Sequence, residues 1–348
     1  MTDRLTPSVP VDRATQDAIV ALRAARAITV ICHENPDADT LGGGLALHRA
    51  LQRMGTACEV LCADRPPATL TFLDGAGALR SQPTKRPDLV VVIDAATRDR
   101  IGPVLKSWLD GLAGVPVLNI DHHSSNVGWA DLNLLRPTAA ATSEIVASLV
   151  WTLDPEPDAE SASLLLAGIL HDTDRFRTSS TTAETLRTAA RLMEEGAQMA
   201  DLCEAIFGGR PLAALTLWGE VLMRTQSIAQ GSIVYACLTQ EMLGRHGADM
   251  LDAEDLPELL ATVRGAEIAV LARDAGTAGT RFSVRTRGAV DAAAIARSFA
   301  GGGHLTAAGC SVSAPLSEAL DMMLHRCLEA LPGEAHDRTA QREGNQAI

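Results

Sequence analysis

The stretch Ile31-Cys32-His33-Glu34-Asn35-Pro36-Asp37-Ala38-Asp39 leaves an apolar, β-branched run at residues 28–31 and enters a turn. One imidazole and two carboxylates, from His33, Asp37 and Asp39, therefore lie within seven residues at the exit of a predicted strand. We expect Asp37 and Asp39 to point the same way from the turn. Carboxylate oxygens beside a neutral imidazole suit a divalent cation such as Mn2+ or Mg2+. An Asx-rich turn that caps a helix would have the same composition, so this stretch alone leaves both interpretations open.

Two further apolar runs end in polar residues. Residues 89–93 are Leu-Val-Val-Val-Ile and precede Asp94, and residues 115–120 precede Asp121-His122-His123. Continuous runs of this kind are typical of strands buried on both faces of a parallel sheet. Helical segments separate them, which predicts a doubly wound, mostly parallel α/β sheet. Such sheets bind ligands outside the carboxyl ends of their strands.

The helix after the first strand is predicted over residues 41–54, with a glycine triplet at its start that would let the helix N-terminus approach a ligand closely. Another predicted helix, at residues 159–170, runs into Asp172. The polar residues expected at strand exits are His33, Asp37, Asp39, Asp94, Asp121, His122, His123 and Asp172. So many carboxylates in one crevice would repel one another unless cations neutralised them. Two divalent ions with a shared carboxylate form a known clamp for phosphoryl displacement, and Asp94 is the candidate for the shared position.

Length and composition indicate a two-domain protein. A chain of 348 residues exceeds the size at which single cores stop growing, and Gly208-Gly209-Arg210-Pro211 is a clear break. We predict a catalytic domain at 1–207, a connecting linker and helix at 208–227, a smaller α/β domain at 228–332 and a disordered tail at 333–348.

Charge and cysteine usage exclude several classes of function. The net charge of −13 opposes binding to long nucleic acid, so any nucleotide substrate should be short. Seven scattered cysteines without a C-x-x-C pair indicate reduced thiols and argue against a disulfide framework or a structural zinc site. The sequence has no apolar run long enough to span a bilayer and no signal-peptide core, which predicts a cytoplasmic protein without a membrane partner.

The motifs, taken in order, resemble those of the DHH phosphoesterase superfamily. They are His33-x-x-x-Asp37-x-Asp39, Asp94 after its strand, Asp121-His122-His123, and Asp172 in Gly168-Ile169-Leu170-His171-Asp172-Thr173. In the second domain, Ser283-x-Arg285 and Gly301-Gly302-Gly303-His304 look like the DHH-associated C-terminal domain. The resemblance extends from about residue 28 to residue 310 and implies an active site in the cleft between the two domains.

The resemblance also implies a ligand set. One Mn2+ ion would be held by His33, Asp37 and Asp94, and a second by Asp39, Asp94, His122 and Asp172, with Mg2+ or Co2+ as alternatives. His123 would contact the scissile phosphate or protonate the leaving group, and Asp121 would orient the histidines. Arg285, the backbone of Gly301, Gly302 and Gly303, and His304 would bind substrate phosphate.

The activity implied by the resemblance is that of the bacterial enzymes that degrade nanoRNA to mononucleotides and dephosphorylate 3'-phosphoadenosine 5'-phosphate, by two-metal hydroxide attack on phosphorus. The partners would be short RNA or DNA oligonucleotides or small nucleotides, and a homodimer is compatible with the resemblance. The alternatives are a cyclic di-AMP or linear dinucleotide phosphodiesterase on the same scaffold, and a non-catalytic nucleotide sensor. Pyrophosphatases lack the Gly-Gly-Gly-His segment, and a processive exonuclease conflicts with the acidic charge.

The sequence departs from the family pattern at four positions without losing a ligand. The family usually has Ala and Ser where Thr40 and Gly43 stand, and Gly where Asp174 and Ala300 stand. Asp174 matters most, because an added carboxylate beside the metal site would either alter metal preference or interact with Arg175.

Overall fold

The computed structural model of the chain describes residues 12–154, 156–303 and 305–332. The chain divides into two compact units, residues 1–209 and 210–348. The predicted tail at 333–348 and the predicted phosphate-binding residue His304 lie outside the described residues.

The first unit alternates strands and helices. Its strands are β1 (Ala27–Cys32), β2 (Ala57–Cys62), β3 (Leu89–Ile93), β4 (Val117–Asp121) and β5 (Leu132–Leu135). Its helices are α1 (Arg13–Ala24), α2 (Ala38–Arg53), α3 (Pro103–Asp110), α4 (Thr142–Leu153), α5 (Ala159–Asp172), α6 (Ala183–Glu194) and α7 (Met199–Phe207).

The five strands form one parallel sheet in the order β2-β1-β3-β4-β5, which confirms the predicted α/β class. Both faces are covered: Val91 and Ile93 pack in a core with α1, α2 and α4–α7, whereas Val90 and Val92 pack against α3. This double burial is why β3 is apolar at every position. The strand order reverses between β1 and β3, and a crevice at the carboxyl ends of the strands opens at such a reversal. His33 and Asp94 follow these two neighbouring strands.

Helix α2 begins at Ala38, three residues before the predicted start, and Asp37 is its N-cap. The glycine triplet of this helix faces its neighbours in the fold. A Cβ atom on Gly42 would lie 2.2 Å from the carbonyl oxygen of Leu164 in α5, and one on Gly44 would lie 2.7 Å from the Cys32 sulfur in β1. These glycines therefore allow α2 to pack closely against its neighbours in the fold.

The second unit has a six-stranded mixed sheet in the order β10-β11-β9-β8-β7-β6, in which only β7 and β8 pair in parallel. Its strands are β6 (Gln226–Ile228), β7 (Ile233–Leu238), β8 (Ile268–Asp274), β9 (Thr280–Thr286), β10 (Gly302–Gly303) and β11 (Ala307–Val312). Its helices are α8 (Leu212–Met223), α9 (Gln240–His246), α10 (Leu256–Leu260), α11 (Ala292–Arg297) and α12 (Leu316–Ala330). Helices α11 and α12 cover one face, and α8, α9 and α10 cover part of the other. Within the described ranges, every helix is too short or too polar to cross a membrane.

Candidate metal centre

His33, which directly follows β1, forms the first ligand set with Asp37 and Asp94. The ring is 2% exposed, and its Nδ1–H donates to the carbonyl oxygen of Glu34 at 2.7 Å. Nε2 therefore faces the carboxylates, 3.5 Å from Asp37 Oδ2 and 3.4 Å from Asp94 Oδ2. A histidine whose Nδ1–H is held by a backbone carbonyl presents its other nitrogen as a metal ligand.

Asp37 and Asp39 belong to different ligand groups of one centre: Asp37 groups with His33 and Asp94, and Asp39 with His122 and Asp172. Asp37 caps α2 and accepts hydrogen bonds through Oδ1 from the backbone N–H groups of Asp39 and Thr40, both at 3.0 Å. Asp39 lies in the first turn of the same helix.

The Asp39 carboxylate lies at the N-terminus of α4, which has no side-chain cap of its own. It accepts hydrogen bonds from the backbone N–H groups of Thr142 and Ser143, both at 2.7 Å. Unpaired backbone N–H groups and the positive end of the helix dipole both favour a carboxylate there. Helix α4 thus fixes the orientation of this candidate ligand.

His122 is the centre of the second ligand set, with Asp39 and Asp172. Its Nδ1–H donates to the carbonyl oxygen of Ala139 at 3.3 Å, and its Nε2 lies 3.2 Å from Asp172 Oδ2. This is the same arrangement as at His33. Asp172 is the last residue of α5, so the expectation that all these residues come from strand exits is wrong for Asp172 as well as for Asp39.

Asp94 links the two sets. Its Oδ2 faces His33 Nε2, whereas its Oδ1 lies 3.7 Å from His122 Nε2 and 3.5 Å from His123 Nδ1. The hydroxyl of Thr142 donates to Oδ1 at 2.8 Å. The backbone of Asp94 is left-handed, with φ of +60°, a conformation that Asp tolerates better than most residues and that is common at functional sites.

His123 is oriented by Asp121. Its Nδ1 lies 2.7 Å from Asp121 Oδ1, and the other oxygen of this fully buried carboxylate accepts a hydrogen bond from Asn126 at 2.6 Å. The resemblance implies that Asp121 orients both histidines. In the structure the hydrogen bond to Asp121 comes from His123, and the backbone at Ala139 orients His122.

The electrostatics of the centre reflect an excess of carboxylates. Burial lowers the pKa of both His33 and His122, but the surrounding aspartates outweigh it and raise each pKa to about 10. Burial and the charges of Asp172 and Asp94 raise the pKa of Asp39 well above its usual range. The site thus attracts positive charge. Ligand atoms about 2.0–2.2 Å from one ion lie roughly 3–4 Å from each other, which matches the spacings above, so the residues fit two divalent cations.

Three polar residues of the site have no role predicted from the sequence: Thr142, Asn126 and His171. Thr142 contacts Asp94 because segments 48 residues apart meet in the fold, whereas Asn126 contacts Asp121 from the loop that follows it. His171 stands inside a quoted motif without an assigned role, yet Asp37, His171 and Asp172 form a further group of possible ligands.

The predicted phosphate-binding residues lie in the second unit. Arg285 is on β9, and its Nε and Nη2 donate to Glu258 Oε1 of α10 at 2.7 and 2.5 Å. A Cβ on Gly301 would lie 2.3 Å from the carbonyl oxygen of Gly309 in β11, and one on Gly303 would meet the same strand. These two glycines are therefore required by the contact with β11, while Gly302 is exposed.

Two residues that depart from the family pattern, Asp174 and Ala300, have a left-handed backbone conformation. Asp174 has φ of +43° and Ala300 has φ of +57°, and glycine adopts such angles without steric cost. The Asp174 carboxylate forms ion pairs with Arg175 at 2.5 Å and Arg177 at 3.1 Å. Of the two roles considered for Asp174, the structure shows the interaction with arginine.

Comparisons with known proteins identify relatives of the whole chain. A model of the N-terminal domain of the DHH family matches residues 27–169, and a model of the DHHA1 domain matches residues 230–331. The chain is 34% identical to the bifunctional oligoribonuclease and PAP phosphatase of Thermus thermophilus, covering 88% of this chain and 90% of that protein. It is 25% identical to the protein of the same name in Bacillus subtilis, covering 82% and 89%.

A solved structure of an exopolyphosphatase-related protein from Bacteroides fragilis has the same fold. It superposes with a TM-score of 0.83 over 91% of this chain and 95% of that one, at 22% identity.

Proposed function

The chain belongs to the DHH family, and from that membership and its carboxylate–imidazole centre we propose that it is a metal-dependent phosphoesterase. Its substrates would be short oligonucleotides, degraded to mononucleotides, and 3'-phosphoadenosine 5'-phosphate, converted to AMP. The observation that carries the proposal is Asp94, whose two oxygens face two separate histidine–aspartate sets. A carboxylate in that position is suited to join two cations.

The ligands of the two cations are proposed from this geometry. His33, Asp37 and Asp94 would hold one ion, and Asp39, Asp94, His122 and Asp172 the other. Bound divalent cations lower the pKa of water and neutralise charge on phosphoryl oxygens. A mixed set of imidazole nitrogens and carboxylate oxygens favours Mn2+, with Mg2+ and Co2+ as weaker candidates.

His123 and Asp121 supply proton transfer in this proposal. Asp121 Oδ1 holds Nδ1 of His123 at 2.7 Å, and the neighbouring carboxylates of Asp94 and Asp121 raise the pKa of His123 against the effect of burial. These carboxylates favour the protonated form of the imidazole. It would donate that proton to the leaving oxygen as the phosphorus–oxygen bond breaks.

The second unit would bind the substrate through Arg285. A guanidinium forms paired hydrogen bonds with phosphate, and a phosphate dianion would displace the half-exposed Glu258 carboxylate that Arg285 holds in this structure. The net charge of −13 favours short substrates over long nucleic acid. The two curated relatives named above are each described as acting on oligoribonucleotides and on PAP, which supports this substrate class.

The test is a substrate panel with purified protein and Mn2+. The panel contains 3'-phosphoadenosine 5'-phosphate, RNA of two to five nucleotides, a long RNA, cyclic di-AMP and pyrophosphate. We expect release of phosphate from the first and of mononucleotides from the short RNA, with little action on the long RNA. Turnover of cyclic di-AMP or linear dinucleotides alone would favour the phosphodiesterase alternative. Failure to turn over any member would overturn the enzymatic proposal and favour a nucleotide sensor.

The oligomeric state and the cellular location of the protein stay predictions. A homodimer is tested by sedimentation of the purified protein, and a cytoplasmic location by fractionation of the source cells.

A further inference from the structure

His171 lies in the last turn of α5, directly before Asp172. Its Nδ1 is 3.2 Å from Asp172 Oδ1, and its side chain is 36% exposed. One ligand atom from each of Asp37, His171 and Asp172 lies within 4.8 Å of the others. All three residues are half-buried, whereas each of the other ligand groups contains at least one buried residue. This group is therefore on the solvent side of the metal centre.

Asp172 repeats the arrangement that makes Asp94 a candidate bridge. The two oxygens of Asp94 face His33 and His122, and the two oxygens of Asp172 face His122 and His171, both at 3.2 Å. Asp37 belongs both to the His33 group and to the His171 group. Three histidines are thus joined pairwise by three aspartates. Among the four groups of possible ligands in the described residues, Asp37, His171 and Asp172 form one that includes a histidine outside both proposed ligand sets.

We propose that Asp37, His171 and Asp172 form a third divalent-cation position, which is filled when the phosphate of the substrate binds. This inference rests on the proposed function. One imidazole nitrogen and two carboxylate oxygens suit Mn2+. Three protein ligands leave coordination positions open, and the exposure of His171 places those positions toward solvent, where a phosphate oxygen can enter.

The charges explain why phosphate should be required. The four candidate carboxylate ligands, Asp37, Asp39, Asp94 and Asp172, balance two divalent ions. A third divalent ion adds two positive charges to a half-buried site, and an unbalanced charge there is unfavourable. A phosphate dianion restores the balance. The first two ions therefore bind to the protein alone, and the third binds with the anion.

The experiment counts bound ions in metal-free protein by titration with Mn2+, using the electron paramagnetic resonance signal of free Mn2+. Each titration is done with and without inorganic phosphate. We expect two bound ions without phosphate and three with phosphate in the wild-type protein. The His171→Asn variant should bind two ions under both conditions. His325→Asn is the matched control, because His325 is 78% exposed on α12 in the other unit, and it should behave as wild type.

The outcome that would overturn the third position is a wild-type count of two in the presence of phosphate, or a His171→Asn variant that still binds three. In that case His171 is only a hydrogen-bond partner of Asp172. Thermal unfolding shows whether the His171→Asn protein is folded. A second variant, His171→Ala, repeats the ion count with a side chain that cannot bind a metal. If the wild-type protein hydrolyses the substrates but binds only two ions with phosphate, the third position is overturned and the proposed function stands. If it binds three ions but hydrolyses no substrate, the proposed function is overturned and the third position stands.

Discussion

The hydroxyl of Thr142 is expected to set the metal affinity of the centre through Asp94. Thr142 is fully buried in the first turn of α4, and its Oγ1 donates to Asp94 Oδ1 at 2.8 Å. A Thr142→Val substitution keeps the shape of the side chain and removes this hydrogen bond. The backbone N–H of residue 142, which donates to Asp39, is retained, so the change acts on Asp94 alone.

A hydrogen bond to a charged group contributes about 1.5–3 kcal/mol. Since about 1.4 kcal/mol corresponds to a factor of ten, the valine variant should bind Mn2+ about 10- to 100-fold more weakly. Loss of a partner that orients a metal ligand has effects of the same size. The assay is calorimetric titration of metal-free protein with Mn2+, alongside kcat for 3'-phosphoadenosine 5'-phosphate at saturating metal.

Thr142→Ser is the matched control, because serine keeps the hydroxyl and loses only a methyl group. It should restore most of the affinity, whereas a general packing defect would affect both variants. A valine variant that binds Mn2+ within about twofold of wild type would refute the reasoning, since orienting contacts typically change metal affinity by at least about tenfold. A serine variant as weak as the valine variant would refute it too.

Four other outcomes test the remaining parts of the site and fold. Asp94→Asn, which preserves a left-handed backbone better than alanine, should reduce activity to background and lower the number of bound Mn2+ ions while circular dichroism stays unchanged; an active variant would remove Asp94 from the bridging role. Gly42→Ala should destabilise the protein by about 1–3 kcal/mol in urea unfolding because its Cβ would clash with the α5 backbone, whereas Gly219→Ala, at a helical position with open space, should not destabilise it. Because the pKa of His122 is about 10 without metal and a ligand imidazole must be neutral, Mn2+ binding at pH 7 should release protons and tighten as pH rises, measured as a buffer-dependent binding enthalpy; an enthalpy independent of the buffer would contradict this. Arg285→Ala should raise KM for nucleotides more than for phenyl phosphate, and equal increases would exclude a specific phosphate grip.

The sequence alone determined the class of the first unit and the identity of the candidate ligands. Residues 89–93 have the uninterrupted apolar pattern that is typical of a strand buried on both faces, and the structure places β3 in the middle of a parallel sheet. Parallel strands have their carboxyl ends at one edge, so His33 and Asp94 had to be neighbours once β1 and β3 were adjacent. The short edge strand β5 was not predicted, because Leu132–Leu135 lacks a β-branched run.

Only the tertiary structure decided how the ligands are grouped and what supports them. Glycines at the start of α2 have the same pattern whether a ligand or another helix approaches them, and the structure shows helix α5 and strand β1 there. Asp37 and Asp39 are two positions apart in the chain but belong to different ligand groups, since one caps the helix and the other lies on its first turn. The contacts of Thr142 with Asp94 and of Asp172 with His122 join residues about 50 positions apart. Local sequence specifies which segments form strands and helices, whereas the packing of helices against the sheet decides which side chains meet.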